Sequence, residues 1–171
     1  SLHGTGLTAC KTISERLGFK NFHIVEEQAS FDGNFTTVET TPNPEDPKAL
    51  KQAVKMLKDK NADVAYATDP DCDRLGVVVN HKNDAHYLNG NQIALLMIDY
   101  IFSELKKQNR LPKKPLVIKS IVTSGLQNNI VEHFGGTVMD TLTGFKWMAR
   151  LWRDMELAGT DYNFVFASEE S

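Results

Sequence analysis

The sequence has few cysteines, no long apolar run and no excess of basic residues. Two cysteines, Cys10 and Cys72, occur among 171 residues, which is too few for a disulfide scaffold and typical of the reducing cytoplasm. No apolar run approaches the roughly 18 residues that a membrane span needs, and no signal peptide is visible at the start. The formal net charge of −3 provides no basic field for a nucleic acid. We therefore expect a cytoplasmic protein with neither a membrane nor a nucleic-acid partner.

Helices and strands alternate along the chain. Apolar residues recurring at steps of three and four predict helices, and short apolar runs between turn residues predict strands. The predicted helices cover residues 7–17, 47–57, 92–108, 126–134 and 145–155, and the predicted strands cover 22–25, 62–68, 75–79, 86–88, 116–118, 137–139 and 163–167. This alternation is typical of the α/β class, in which helices cover largely parallel sheets.

The pattern changes near Asn89, where short strands give way to a long apolar helix. We therefore expect two successive domains, residues 1–88 and 89–171, each with βα alternation and a mixed, largely parallel sheet. Both ends look cut. The turn Gly4-Thr5-Gly6 opens a helix without the strand that a βα unit places before it, and Ser171 directly follows a strand end. We expect the first domain to lack its first strand and the second to be truncated.

An acidic loop lies between two of the apolar strands. Its sequence is Asp69-Pro70-Asp71-Cys72-Asp73-Arg74. Alternate side chains of an extended segment face one side, and a proline favours an extended conformation in the residue before it. The three aspartates can therefore gather around one hard cation, and Mg²⁺ prefers such oxygen ligands. Arg74 beside them is suited to hold a phosphate with two parallel hydrogen bonds.

Two interpretations other than a magnesium site exist for this loop. A solvated acidic turn would need no ligand. A calcium EF-hand is excluded, because the sixth loop position is Arg74 where a glycine is required and the twelfth is Asn80 where a glutamate is required.

The acidic loop resembles the metal-binding loop of the α-D-phosphohexomutases, the phosphoglucomutase/phosphomannomutase family. Four further segments resemble that family in the same order. They are Leu2-His3-Gly4-Thr5-Gly6 at the opening of its second domain, Gly90-Asn91-Gln92-Ile93 at the first helix of its third domain, Thr143-Gly144-Phe145-Lys146-Trp147 in a loop near the sugar phosphate, and Glu169-Glu170-Ser171 at the start of the sugar-binding loop.

The resemblance implies the second domain and most of the third domain of a four-domain mutase. Such an enzyme interconverts hexose 1-phosphate and hexose 6-phosphate, with glucose or mannose as the sugar, through a phosphoserine and a hexose bisphosphate. Neither the Ser-His-Asn-Pro type loop of the first domain nor the Arg-x-Ser-Gly-Thr type loop of the fourth occurs in this sequence. We therefore expect this chain to need those two domains and to be inactive alone.

The resemblance also implies roles for individual residues. Mg²⁺ would be held by Asp69, Asp71 and Asp73. Arg74 and Lys119 are the expected catalytic residues, with an exposed strand lysine as the alternative for Lys119. The expected substrate-binding residues are Gly144, Lys146, Glu169 and Ser171, with a solvent-facing lysine in the first helical turn as the alternative for Lys146.

Two other functions stay open from the sequence. In a Mg²⁺-dependent phosphatase of the haloacid-dehalogenase type, Asp69 would be the nucleophile and Asp71 the general acid. Against it, Asp73 stands where threonine or valine is usual, and the motif lies in the middle of the chain. The second possibility is a non-catalytic metal-binding module with the same fold.

Overall fold

The computed structural model describes residues 1–170, which form two compact units. The first unit covers residues 1–89, and the second begins at Gly90. Helices and strands occur in both units, which confirms the α/β class expected from the sequence. Among residues 1–170, no helix is both long and apolar enough to cross a bilayer.

The first unit contains two helices and an antiparallel sheet. Its elements are α1 (Gly6–Arg16), a 3-10 turn (Glu26–Gln28), α2 (Lys51–Asp59), β1 (Val64–Thr68), β2 (Leu75–His81) and β3 (Asp84–Leu88). The sheet order is β1-β2-β3, and both pairs are antiparallel. The parallel pairing expected for this half is not found among the described residues. The connections between these strands are too short for the crossover that parallel strands need.

The strand predicted at residues 22–25 is not formed within the part of the chain that the structure describes. These residues are neither helix nor strand. Apolar β-branched and aromatic residues favour an extended backbone, but a strand also requires a hydrogen-bonded neighbour, and β1 pairs only with β2.

The core of the first unit joins its N-terminal residues, α2 and the sheet. The buried residues are Leu2, Ala49, Leu50, Leu57, Ala67 and Val78. Leu2 is also fixed by its backbone, since its N–H donates to the Thr68 carbonyl at 2.9 Å. The segment before α2 passes so close to β2 that a Cβ added at Gly76 would lie 2.0 Å from the Pro44 carbonyl oxygen. Only glycine therefore fits at this position of β2.

The second unit is a parallel sheet with helices on both faces. Its elements are α3 (Gly90–Lys107), β4 (Pro115–Ser120), α4 (Leu126–His133), β5 (Thr137–Thr141), α5 (Phe145–Leu157) and β6 (Asn163–Ser168), in the sheet order β5-β4-β6. Every residue of the central strand β4 is buried. Val117 packs with Ile98 and Phe102 of α3, whereas Leu116 and Ile118 pack with Met148 and Met155 of α5.

The parallel arrangement fixes where polar residues of this unit meet. All three strands point the same way, so their carboxyl ends lie at one edge of the sheet. We call this edge, with the segments that follow Ser120, Thr141 and Ser168, the carboxyl edge. Ligands of open α/β sheets bind at such edges.

The close approach at Gly76 makes a testable prediction. Replacing Gly76 by alanine forces the new Cβ into the Pro44 carbonyl, so we expect the free energy of unfolding of the first unit to fall by about 1–3 kcal/mol. Gly33→Ala is the matched control, because a Cβ there meets no atom within 4 Å. Urea denaturation of both variants measures the difference. Equal stability of the two variants would contradict the predicted close packing.

Candidate functional site

The acidic loop lies at the end of β1 and turns the chain into β2. Asp69 follows β1 directly and is 7% exposed, whereas Asp71 and Asp73 are exposed. Cys72 has a positive φ of 68°, and its N–H donates to the Asp69 carbonyl at 3.2 Å. This tight turn brings one carboxylate oxygen from each aspartate to within 4.8 Å of the others. The structure thus brings together the three residues that the sequence selects as metal ligands.

The glycine turn at the start of the chain packs against the loop and donates hydrogen bonds to it. The Thr5 N–H donates to the Pro70 carbonyl at 2.9 Å, and the Thr5 hydroxyl donates to the same oxygen at 3.2 Å. A Cβ added at Gly4 would lie 2.2 Å from the Pro70 Cα. Sequence reasoning assigns Gly4-Thr5-Gly6 only to a helix opening and misses this contact, because it joins segments more than sixty residues apart.

The electrostatics of the loop favour a cation. Burial, together with the neighbouring Asp73 and Asp71 carboxyls, raises the pKa of Asp69, while the hydrogen bond from the Arg74 N–H at 3.0 Å opposes the rise. No lysine or arginine of residues 1–170 forms an ion pair with the three aspartates. Three carboxylates at this spacing repel one another. Their oxygen-only donor set fits a hard divalent cation such as Mg²⁺.

Arg74 lies beside this cluster with its backbone fixed and its side chain exposed. Its N–H is bound by the Asp69 carboxylate, and its guanidinium forms no ion pair with any acid of the described chain. The side chain can therefore bind an anion next to the metal ligands without breaking an internal ion pair.

Lys119 is buried at the carboxyl edge of the second unit. It is 3% exposed, so the alternative of an exposed strand lysine is wrong. Its ammonium group donates to Asp140 Oδ1 at 2.7 Å and to the Thr123 carbonyl at 3.1 Å. Asp140 is the register partner of Lys119 on β5. A buried ammonium needs such partners, because the desolvation of a charge is costly.

Thr123 connects the segments after β4 and β6. Its hydroxyl lies 2.8 Å from the Ser120 hydroxyl and accepts the Glu170 N–H at 3.0 Å, while its carbonyl accepts Lys119. Sequence reasoning misses both Thr123 and Asp140. The available signal is that each lies near the carboxyl end of a predicted parallel strand, but the pairing register is needed to bring them to Lys119.

Gly144 and Glu169, two of the expected substrate-binding residues, are in direct contact. The Gly144 N–H donates to the Glu169 carboxylate at 2.6 Å. Gly144 has a positive φ of 114° just before α5, a conformation that side chains disfavour. A carboxylate at this end of a helix is also stabilised by the exposed amides of the first turn.

Lys146 and Ser171 are the other two expected substrate-binding residues. Lys146 is an exposed residue in the first turn of α5, and its Nζ lies 5.4 Å from the centre of the Trp147 ring. It makes no ion pair with the described residues. Ser171 lies outside the described residues.

The Lys119 ion pair makes a prediction about stability. Asp140→Asn removes the carboxylate charge paired with the buried Lys119 ammonium and leaves it only neutral acceptors, so we expect the free energy of unfolding of the second unit to fall by about 1–3 kcal/mol. Asp161→Asn is the control, because Asp161 pairs with the exposed Lys114, and we expect no resolvable change there. Urea denaturation of both variants decides the matter. Equal losses of stability in the two variants would contradict the conclusion that the buried Lys119 ammonium depends on Asp140.

Comparison with known proteins finds one family in both units. Residues 1–82 match the family profile described as phosphoglucomutase/phosphomannomutase, alpha/beta/alpha domain II. Residues 89–171 match the profile of alpha/beta/alpha domain III of the same family. Neither profile describes the phosphatase considered above as an alternative.

Individual proteins agree with these profiles. A phosphomannomutase of Mycoplasmoides pirum is 40% identical over 85% of this chain and 26% of its own length. A phosphoglucomutase of Staphylococcus aureus strain USA300 is 37% identical over the whole chain and 30% of its own length. This chain therefore spans less than a third of the curated relatives that it matches.

A solved structure has the same fold. The crystal structure of a phosphoglucomutase/phosphomannomutase family protein from Burkholderia thailandensis superposes with a TM-score of 0.71 at 21% identity, over 99% of this chain and 32% of that one. The profiles and the relatives agree with the family that the sequence motifs indicate. The chain belongs to the phosphoglucomutase/phosphomannomutase family, whose second and third domains it matches.

Proposed function

We propose that this chain is the metal-binding and sugar-binding part of a Mg²⁺-dependent mutase that interconverts hexose 1-phosphate and hexose 6-phosphate. The observation that carries this proposal is the convergence of Asp69, Asp71 and Asp73 to within 4.8 Å in a chain of this family. Hexose phosphates are the proposed substrates because the relatives are named phosphoglucomutase and phosphomannomutase.

In the whole protein, Asp69, Asp71 and Asp73 would hold the metal in the acidic loop. Bound Mg²⁺ would offset negative charge on the phosphoryl group during its transfer. Arg74 would bind phosphoryl oxygens from the side, and its exposed guanidinium without an internal ion pair supports this role. Phosphoryl transfer depends mainly on positioning and electrostatic stabilisation, which these residues would provide.

The carboxyl edge would bind the substrate. The Glu169 carboxylate would accept hydrogen bonds from sugar hydroxyls, and the Ser171 hydroxyl would donate a hydrogen bond to them. The Gly144 N–H would hold the Glu169 carboxylate in place. Lys146 would contact phosphate, for which its exposed ammonium group is available. Lys119 would contact phosphate or transfer a proton, and its position at the carboxyl end of the central strand supports this role.

The complete reaction would require two further domains of the same protein. A phosphoserine on the first would give its phosphoryl group to a free hydroxyl of the hexose phosphate, which forms a hexose bisphosphate and a free serine. The bisphosphate would reorient and return its other phosphoryl group to the serine, releasing the isomeric monophosphate. We also propose a cytoplasmic location, which is compatible with the free thiols of Cys10 and Cys72.

The metal assignment is tested by Mg²⁺-dependent stabilisation of this chain. A ligand that binds only the folded state stabilises it by RT ln(1 + [Mg²⁺]/Kd), about 1.4 kcal/mol at ten times Kd. We expect Asp71→Asn to weaken Mg²⁺ binding at least tenfold. Mutation of a residue that only hydrogen-bonds to a metal ligand already lowers metal affinity by about tenfold or more, and Asp71 is itself a proposed ligand. Thermal unfolding with and without Mg²⁺ measures both effects.

The control for this experiment is Asp63→Asn, which removes the same charge from an exposed residue at the other end of β1. It should keep the Mg²⁺ effect. The metal-free stability of Asp71→Asn should not fall, because the substitution removes one of three repelling charges. Full Mg²⁺ stabilisation of Asp71→Asn would refute the metal assignment.

The activity is tested by comparing this chain with the whole protein. We expect no conversion of glucose 1-phosphate or mannose 1-phosphate by the 171-residue chain, because the phosphoserine would lie on another domain. The whole protein should convert at least one of them and should lose activity with Asp71→Asn. Turnover by this chain alone would overturn the dependence on further domains. Phosphate release by this chain, lost in Asp69→Asn, would favour the phosphatase.

A further inference from the structure

Hydrogen bonds from three different parts of the second unit converge on the residues at the end of β6. We call residues 168–170 the exit segment. The groups that hold it come from α4, from the segment after β4 and from the turn before α5. Glu169, a proposed sugar-binding residue, lies in the middle of the exit segment. The path of this backbone therefore determines where the Glu169 carboxylate lies.

Gln127 of α4 holds the first residue of the exit segment. Its side-chain amide is fully buried, with 0% exposure of the residue. The Nε2 atom donates to Ser168 Oγ at 3.0 Å, and the Ser168 hydroxyl donates to Oε1 at 3.3 Å. A buried amide is costly unless it is hydrogen-bonded, and an aliphatic side chain could fill this helix position without that cost. The choice of glutamine therefore indicates that its contact with Ser168 matters.

Thr123 holds the last residue of the exit segment. Its side chain is buried, and its Oγ1 accepts the Glu170 N–H at 3.0 Å. The same hydroxyl lies 2.8 Å from the hydroxyl of Ser120, the last residue of β4. Because β4 is the central strand and is buried along its whole length, Thr123 ties the exit segment to the most rigid part of the sheet.

The side chain of Glu169 is itself fixed through one oxygen only. Its Oε2 accepts the Gly144 N–H at 2.6 Å, and its Oε1 makes no hydrogen bond within residues 1–170. A carboxylate accepts hydrogen bonds through both of its oxygens. The Oε1 atom can therefore accept hydrogen bonds from a ligand while Oε2 keeps its contact with Gly144.

We propose that Thr123 and Gln127 are positioning residues for the substrate, because they fix the backbone on both sides of Glu169 and thereby the direction of Oε1. This inference rests on the proposed function. Neither side chain needs to touch the sugar, since both are buried beneath the exit segment. A binding group that is held in place before the ligand arrives does not have to be ordered during binding, which increases affinity.

Steady-state kinetics of the whole protein with glucose 1-phosphate and mannose 1-phosphate test the role of Thr123. Valine has nearly the shape of threonine but no hydroxyl, so Thr123→Val releases the Glu170 N–H. We expect KM to rise about three- to tenfold, the scale of one lost hydrogen bond. Thr123→Ser keeps the hydroxyl and should restore the original KM. Thr160→Val is the matched control, because it removes a hydroxyl that donates only to the Met155 carbonyl, and it should leave KM unchanged.

The change must appear in KM to count as positioning. Thr123→Val also removes the partner of the buried Ser120 hydroxyl, so some loss of stability is expected. Fewer folded molecules would lower the apparent kcat and leave KM unchanged, whereas a lost contribution to substrate binding raises KM. Gln127→Met provides a second variant, because it removes the amide from Ser168 without acting on Thr123, and it should raise KM in the same direction.

A double-mutant cycle tests whether Thr123 acts through Glu169. In a Glu169→Ala background no carboxylate remains to be positioned, so Thr123→Val should no longer change KM. The same rise in KM with and without the Glu169 carboxylate would overturn the inference.

Two further outcomes separate this inference from the proposed function. An unchanged KM in both Thr123→Val and Gln127→Met, in a whole protein that converts hexose phosphate, would overturn the positioning role and leave the proposed function intact. If the unmodified whole protein converts neither sugar phosphate, the proposed function fails, and the positioning role fails with it.

Discussion

The mutual repulsion of three carboxylates is the constraint that shapes the acidic loop. One carboxylate oxygen each of Asp69, Asp71 and Asp73 lies within 4.8 Å of the others, and the rest of the first unit supplies the restraint. The paired strands β1 and β2 fix the two ends of the loop. The Gly4 backbone packs directly against Pro70 and prevents the loop from relaxing inwards. The fold therefore holds together carboxylates whose repulsion a divalent cation would relieve.

The carboxyl edge of the second unit contains a buried charge, the ammonium group of Lys119. Because water cannot reach this group, the protein itself must provide the opposite charge and the hydrogen-bond acceptors. Asp140 provides the opposite charge, and Thr123 provides a carbonyl oxygen. The hydroxyl of Thr123 also binds the backbone after β6. Lys119, Asp140 and the segment after β6 are thereby linked through hydrogen bonds.

The parts of this protein that could be predicted from sequence are those determined locally. The clustering of Asp69, Asp71 and Asp73 follows from their close spacing, as expected. The expected extended conformation is wrong, because the chain makes a tight turn at Cys72. The helices and strands of the second unit follow from apolar periodicity in the same way. Strand formation at residues 22–25 could not be predicted correctly, because extended propensity does not supply a partner strand.

The parts that could not be predicted depend on long-range register. Asp140 reaches Lys119 only because β4 and β5 align these two residues. Gly144 reaches Glu169 only because β6 pairs with the other side of β4. Nothing in the local sequence of either residue identifies its partner. The antiparallel sheet of the first unit shows the same limit, since a pattern of alternating elements does not encode which strands become neighbours.

The acidic loop and the carboxyl edge differ in how far apart their residues lie along the sequence, and they therefore respond differently to partial unfolding. All three proposed metal ligands lie within five consecutive residues between adjacent hairpin strands, so closing that loop costs little chain entropy. The carboxyl edge requires residues as distant as Lys119 and Glu169 to meet across three strands. Partial unfolding that separates β6 from β4 would therefore remove Glu169 from the carboxyl edge and leave only the Lys119–Asp140 pair. The acidic loop, in contrast, depends only on its own hairpin and on the Gly4-Thr5 turn.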